Sequence, residues 1–134
     1  IRRETSEMSQ GILIYYHEYA DSNAFTKEYI ISLRDSITKM HIPGPHEGSY
    51  MTTMREFPAA IKEIKFNNHY AVEARGLWNV HEDFMGGPFL SYTILDEQGN
   101  RVITVDGYVY APKFNKRNYL RQVEAILCSL KFPV

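Results

Sequence analysis

The residues best placed to do chemistry fall in one stretch, Arg75 to Phe89 (RGLWNVHEDFMGGPF), which holds the chain's single tryptophan and a tandem glycine. Arg75, His81 and Asp83 are its polar candidates, and hydrolysis or binding there would require them to converge, ideally with a histidine and carboxylate pair within reach. Trp78, with Phe84, Met85 and Phe89, would floor a shallow pocket, and Gly86-Gly87 would let backbone approach a bound molecule. The ligand-binding candidates are therefore Arg75, Trp78, His81, Asp83, Gly86 and Gly87. The competing reading is structural: the glycines turn the chain between strands and the aromatics belong to the core.

Five histidines raise the question of a metal. His41 and His46 flank Pro43-Gly44-Pro45, and His81-Glu82-Asp83 sets three ligand types in a row. Neither pattern has the helical i, i+4 spacing or the short-loop spacing that holds zinc, and adjacent strand residues point to opposite faces. No metal is expected. Cys128, the one cysteine, excludes an internal disulfide. At 100° per residue it falls about 140° from the centre of the last helix's apolar arc. It sits near that helix's C-terminus beside Glu124, and both influences disfavour a thiolate. Lys113, Lys116, Arg117 and Arg121 form a small basic patch, read as a solvated helix face because Tyr119 among them belongs to the buried arc. There is no GxGxxG, P-loop or GxSxG motif, so neither a catalytic residue nor a cofactor is assigned.

Fifteen basic residues against sixteen acidic ones leave a formal charge of −1, too little to attract a nucleic-acid backbone non-specifically. The length of 134 residues suits a single domain with a real core, and 44% hydrophobic content exceeds what a disordered chain carries. No run approaches the eighteen or so apolar residues of a membrane span. A start at Ile1, with neither methionine nor an apolar leader, is expected of the C-terminal part of a longer chain.

The elements that must position these residues can be read in order. Met8 to Tyr19 is a strand apolar on both faces, expected to be internal. Asp21, Ser22 and Asn23 cap a helix from about Ala24 to Met40, with Phe25, Tyr29, Leu33, Ile37 and Met40 on its buried stripe and Ile31 off it. Prolines 43 and 45 end that helix, and a strand runs from about Ser49 to Phe57. Asn67-Asn68 turns a hairpin between Ala60–Phe66 and His69–Val80, and Trp78 shares a face with Tyr70, Val72, Ala74 and Val80. Asp83 to Pro88 is a loop. Phe89–Leu95 and Arg101–Ala111 form a second hairpin in which Gly99 is available for a left-handed position. Asn115 caps a last helix lined by Tyr119, Leu120, Val123, Ile126, Leu127 and Leu130. Without a βαβ series, the fold class is α+β: an antiparallel sheet covered by two helices.

Three stretches carry a resemblance: RDSITKMHIPGPHEGSYMTT (Arg34–Thr53), RGLWNVHEDFMGGPFLSYTILDEQGNRVITVDGYVYAPKF (Arg75–Phe114) and LRQVEAILCSLKF (Leu120–Phe132). The chain from Gly11 onward resembles the C-terminal part of the Bacteroidetes envelope lipoproteins that carry domain of unknown function 4837. The resemblance implies a bacterial cell-envelope location, periplasmic or at the outer membrane, through a lipid anchor outside this stretch, and no assigned activity. The closing strand GYVYAP and the leucine-rich helix after it are also similar to PsbP-like α/β/α sandwiches, a likeness of fold only.

Two functions are compatible with this. One is a non-enzymatic module that packs on another envelope protein or on an N-terminal region of its own chain; the tyrosine-rich strands, Ile31 and Cys128 favour it. The other is small-molecule or glycan binding or hydrolysis at the loop from Trp78 to Phe89, which requires Arg75, His81 and Asp83 to converge.

Overall fold

Asn67 and Asn68 both adopt positive φ, 47° and 70°, the backbone of a two-residue hairpin turn whose twist matches its strands. In the computed structural model, which describes residues 2–4, 9–45, 47–81, 85–111 and 116–131, this turn joins β4 (Ala60–Phe66) to β5 (His69–Val80). Pairing runs from Phe66↔His69 to Ala60↔Arg75, the boundaries that the alternating pattern predicts. A second hairpin joins β6 (Gly86–Asp96) to β7 (Arg101–Tyr110). Here Asn100, not Gly99, takes the left-handed position, at φ 50°. The Asp96 carboxylate holds the turn by accepting from the Gly99 amide at 3.3 Å and Arg101 Nε at 2.8 Å.

Three further strands complete the described sheet: β1 (Arg2–Glu4), β2 (Ser9–Glu18) and β3 (Met51–Thr53). The order is β1-β2-β7-β6-β5-β3, with β4 also paired to β5, and every pairing is antiparallel. The sheet curls, and the fold is α+β with two helices, α1 (Lys27–His41) and α2 (Lys116–Cys128).

Strand alternation sorts the core into two layers. Phe89, Val72, Ala74, Trp78 and Tyr108 face α1 and pack with Ile30 and Ile31. Their neighbours Leu90, Tyr92, Ile94, Val105 and Val109 face α2 and pack with Val123 and Leu127. The helices therefore cover opposite faces of the sheet. Burial of a large apolar side chain contributes roughly 1.5 to 3 kcal/mol, so Val123 and Leu127 dock α2 firmly. Gly107 lies under that contact: a Cβ there would stand 2.0 Å from Val123 Cγ1.

Several expectations are corrected. The helix begins at Lys27 because Thr26 caps it, its side chain accepting from the Tyr29 amide, while Ser22–Phe25 forms a 3-10 turn capped by Asp21. Its buried face is Ile30, Ile31, Arg34 and Thr38; Tyr29 and Met40 are exposed. The apolar count misses this face because an arginine stands at its centre. Residues 49–57 yield only the three-residue β3. Gly86, Gly87 and Pro88 belong to β6, opposite Asn79, Trp78 and Leu77, instead of to a loop. Ile126 is 52% exposed and lies outside the buried arc.

The expectation that β2 is internal is also corrected. It pairs with β7 along its whole length but with β1 only through Ser9–Gly11, so Leu13–Glu18 forms a sheet edge among the described residues. The proposed cap Asn115 lies outside the described residues.

Candidate functional site

The residues singled out for chemistry separate once the strands form. Arg75 and Leu77 project from β5 toward α2, whereas Trp78 projects to the other side, where it is buried and donates from Nε1 to the Val109 carbonyl at 3.2 Å. Gly86 and Gly87 lie in a ladder: a Cβ on Gly87 would meet the Val109 carbonyl oxygen at 2.1 Å. The close approach that the tandem glycine permits is thus made by the neighbouring strand's backbone. His81 is exposed just past β5 and stacks on Tyr50, ring centroids 5.0 Å apart. Asp83, with Glu82 and Phe84, lies outside the described residues, as does His46.

Arg75 joins a different group. Its Nε donates to Glu73 Oε1 at 2.8 Å and its Nη2 to Glu124 Oε1 at 2.8 Å, so the guanidinium bridges β5 to α2. Beside it a groove of about 470 Å³ is lined by Arg75, Leu77 and Pro88 on the sheet side and Lys116, Arg117, Leu120, Arg121 and Glu124 on the helix side. Its size falls within the range of small-molecule pockets, roughly 300 to 1,000 Å³. Three of the basic residues read as a solvated helix face form the rim of this groove, and Lys113 lies outside the described residues. Cys128, on the same side of α2 and exposed, stands 3.8 Å from the Tyr92 hydroxyl. That phenol is pushed well above its ordinary value by burial, then by Cys128.

A third assembly escaped the sequence reading. Under α1, Arg34 Nε donates to Asp106 Oδ2 at 2.7 Å, Nη1 donates to Thr53 Oγ1 at 3.0 Å, and the guanidinium lies 3.9 Å above the Phe89 ring. Both partners are completely buried. Burial pushes the Asp106 carboxyl up and the Arg34 guanidinium pulls it back. Thr38 donates to the Met51 carbonyl at 2.9 Å, and Asp35 accepts from the Thr53 amide at 2.8 Å, so α1 holds β3 through polar contacts. Arg34 and Asp106, both closed off from solvent, tie α1 to β7 and so position these elements. The available signal was an aspartate inside an otherwise apolar alternation, VITVDGYVY.

The last feature is a strip along β2 on the α2 side. Ile14 is 60% exposed and Tyr16 69%, next to the open edge. Arg101 stands over the Tyr16 ring at 5.6 Å. On α2, Gln122 faces β2 through the Gln10 side chain, at 3.3 Å, which puts Ile126 one turn on along that same side.

No curated protein and no solved structure matches this chain. A family model does, and it spans residues 1–129, including β2, the groove and the buried ion pair. The chain therefore belongs to the family described as domain of unknown function DUF4837.

Proposed function

We propose that the domain is a non-enzymatic interaction module of the bacterial cell envelope, held at the membrane through a lipid anchor outside this stretch. The observation that carries the interaction reading is the edge of β2. Leu13–Glu18 presents backbone donors and acceptors with no second strand among the described residues, and Ile14 and Tyr16 stand exposed beside them. Natural sheet edges usually carry charge, proline or a bulge that prevents pairing; here the exposed Ile14 and Tyr16 supply none of these, and the segment's one carboxylate, Glu18, stands at its end. An extended segment of an envelope protein, or of the same chain, would add as a strand here and place its apolar residues against Ile14 and Tyr16. The curled antiparallel sheet with a helix on each face also supports the PsbP-like sandwich as the fold reading.

The test begins with capture from solubilised envelope fraction, followed by purification of the captured protein and amide hydrogen exchange on the reconstituted pair. Slowed exchange at Leu13–Glu18, and loss of binding in an Ile14→Asp, Tyr16→Glu variant that melts normally, are expected. Unchanged exchange along β2 would overturn the assignment.

Small-molecule binding at the loop from Trp78 to Phe89 loses its aromatic floor, since Trp78 is buried on the α1 side. A ligand site elsewhere is favoured by the α2 groove.

A further inference from the structure

We propose that the groove between α2 and the β5–β6 strands binds a phosphate monoester carried on a short apolar body. Three observations converge on it. The first is charge. Arg75, Lys116, Arg117 and Arg121 line the groove against one lining carboxylate, Glu124, and the chain as a whole is slightly acidic, at −1. Glu73 and Glu124 are committed to Arg75 at 2.8 Å each. Lys116 and Arg121 form no ion pair among the described residues. Set against Glu73 and Glu124, Arg75, Lys116 and Arg121 keep the balance among these described residues positive, the sign that a phosphate needs.

The second is arrangement. Arg117 and Arg121 stand four apart on α2, so both lie on the helix face that lines the groove. Lys116 and Arg117 begin this 13-residue helix, whose positive dipole end adds to their field. Arginine donors suit phosphate oxygens; Glu73 and Glu124 take Nε and Nη2 of Arg75 and fix its guanidinium, so that a ligand would meet its Nη1.

The third is shape. A groove of about 470 Å³ exceeds what a bare phosphate fills, and the remaining lining is Leu77, Pro88 and Leu120. Those three side chains suit an alkyl or ring body extending from the anion.

The proposal stands apart from the β2 edge, which lies on the opposite side of α2. The phosphate could come from a soluble ester or from an anionic lipid headgroup, and one experiment separates them. The isolated domain is titrated by NMR with hexyl phosphate, inorganic phosphate and hexanol, and sedimented with vesicles of phosphatidylcholine alone or with phosphatidic acid added. The expected result is saturable hexyl phosphate binding with shifts at Leu77, Leu120 and Arg121, at least about tenfold tighter than inorganic phosphate or hexanol. Cosedimentation with the phosphatidic acid vesicles alone assigns the lipid source; its absence assigns the soluble ester. A Lys116→Ser, Arg121→Ser variant should weaken hexyl phosphate about tenfold or more, while Ile14→Asp leaves it unchanged. The proposal is overturned if hexyl phosphate shows no saturable binding at millimolar concentration, if hexanol binds as well, or if a folded Lys116→Ser, Arg121→Ser variant binds equally.

Discussion

Arg34 Nε donates to Asp106 Oδ2 across 2.7 Å, from α1 to β7, with neither side chain reaching solvent. Such a pair is stable only as a pair, because either charge alone in that interior has no water to turn to. Asp106→Asn should therefore cost about 3 kcal/mol or more of unfolding free energy. Replacing both partners by apolar groups of similar volume, Arg34→Met with Asp106→Leu, should cost far less and can stabilise. Urea unfolding of the three proteins checks this. A single replacement no worse than the double one would mean that the pair is dispensable.

Tyr15 lies on the same face, and its phenol is raised far above the ordinary tyrosine value by burial first and by the Asp106 carboxylate second. The folded state thus binds the phenolic proton more tightly than the unfolded chain does. Stability from this group is full below about pH 10 and declines as pH rises beyond it, by up to about 1.4 kcal/mol per pH unit. Tyr15→Phe should flatten that decline between about pH 10 and 11. Equal slopes for the two proteins would show that Tyr15 ionises freely when folded.

These two residues also show where sequence reading stopped. The β4–β5 hairpin was legible because Asn67-Asn68 encodes its own turn and the flanking alternation fixes the register. The α1 face was not, because hydropathy scores Arg34 as a solvent residue while the fold supplies Asp106 from a strand 72 positions later. A pairing that distant leaves no periodic trace. Two of the candidate residues separate for a related reason: Arg75 and Trp78 are three apart on a strand and so face opposite ways, although they look adjacent in a motif. Their placement was available from the alternation alone, whereas the basic rim of the groove needed α2 to be seated over Leu77 and Pro88.

Asn68 offers a local test of the turn. At φ 70° it is in a region where glycine is unstrained and alanine is not. Asn68→Gly should leave the melting temperature unchanged or raised, and Asn68→Ala should lower stability by about 1 kcal/mol. The reverse order in thermal melts would exclude the two-residue turn.

The seat of α2 gives the sharpest packing prediction. Gly107 has room for no side chain: an added Cβ would lie 2.0 Å from Val123 Cγ1, and Val123 is itself buried. Gly107→Ala must push α2 outward or force Val123 from its rotamer, at about 1 to 3 kcal/mol. Val123→Ala alone leaves a void and costs on the order of 2 kcal/mol. In the double variant the new methyl occupies the void, so the combined cost should fall below the sum by about 0.5 kcal/mol or more. Strict additivity in a denaturation cycle would mean that these two positions do not touch and that α2 lies elsewhere on the sheet.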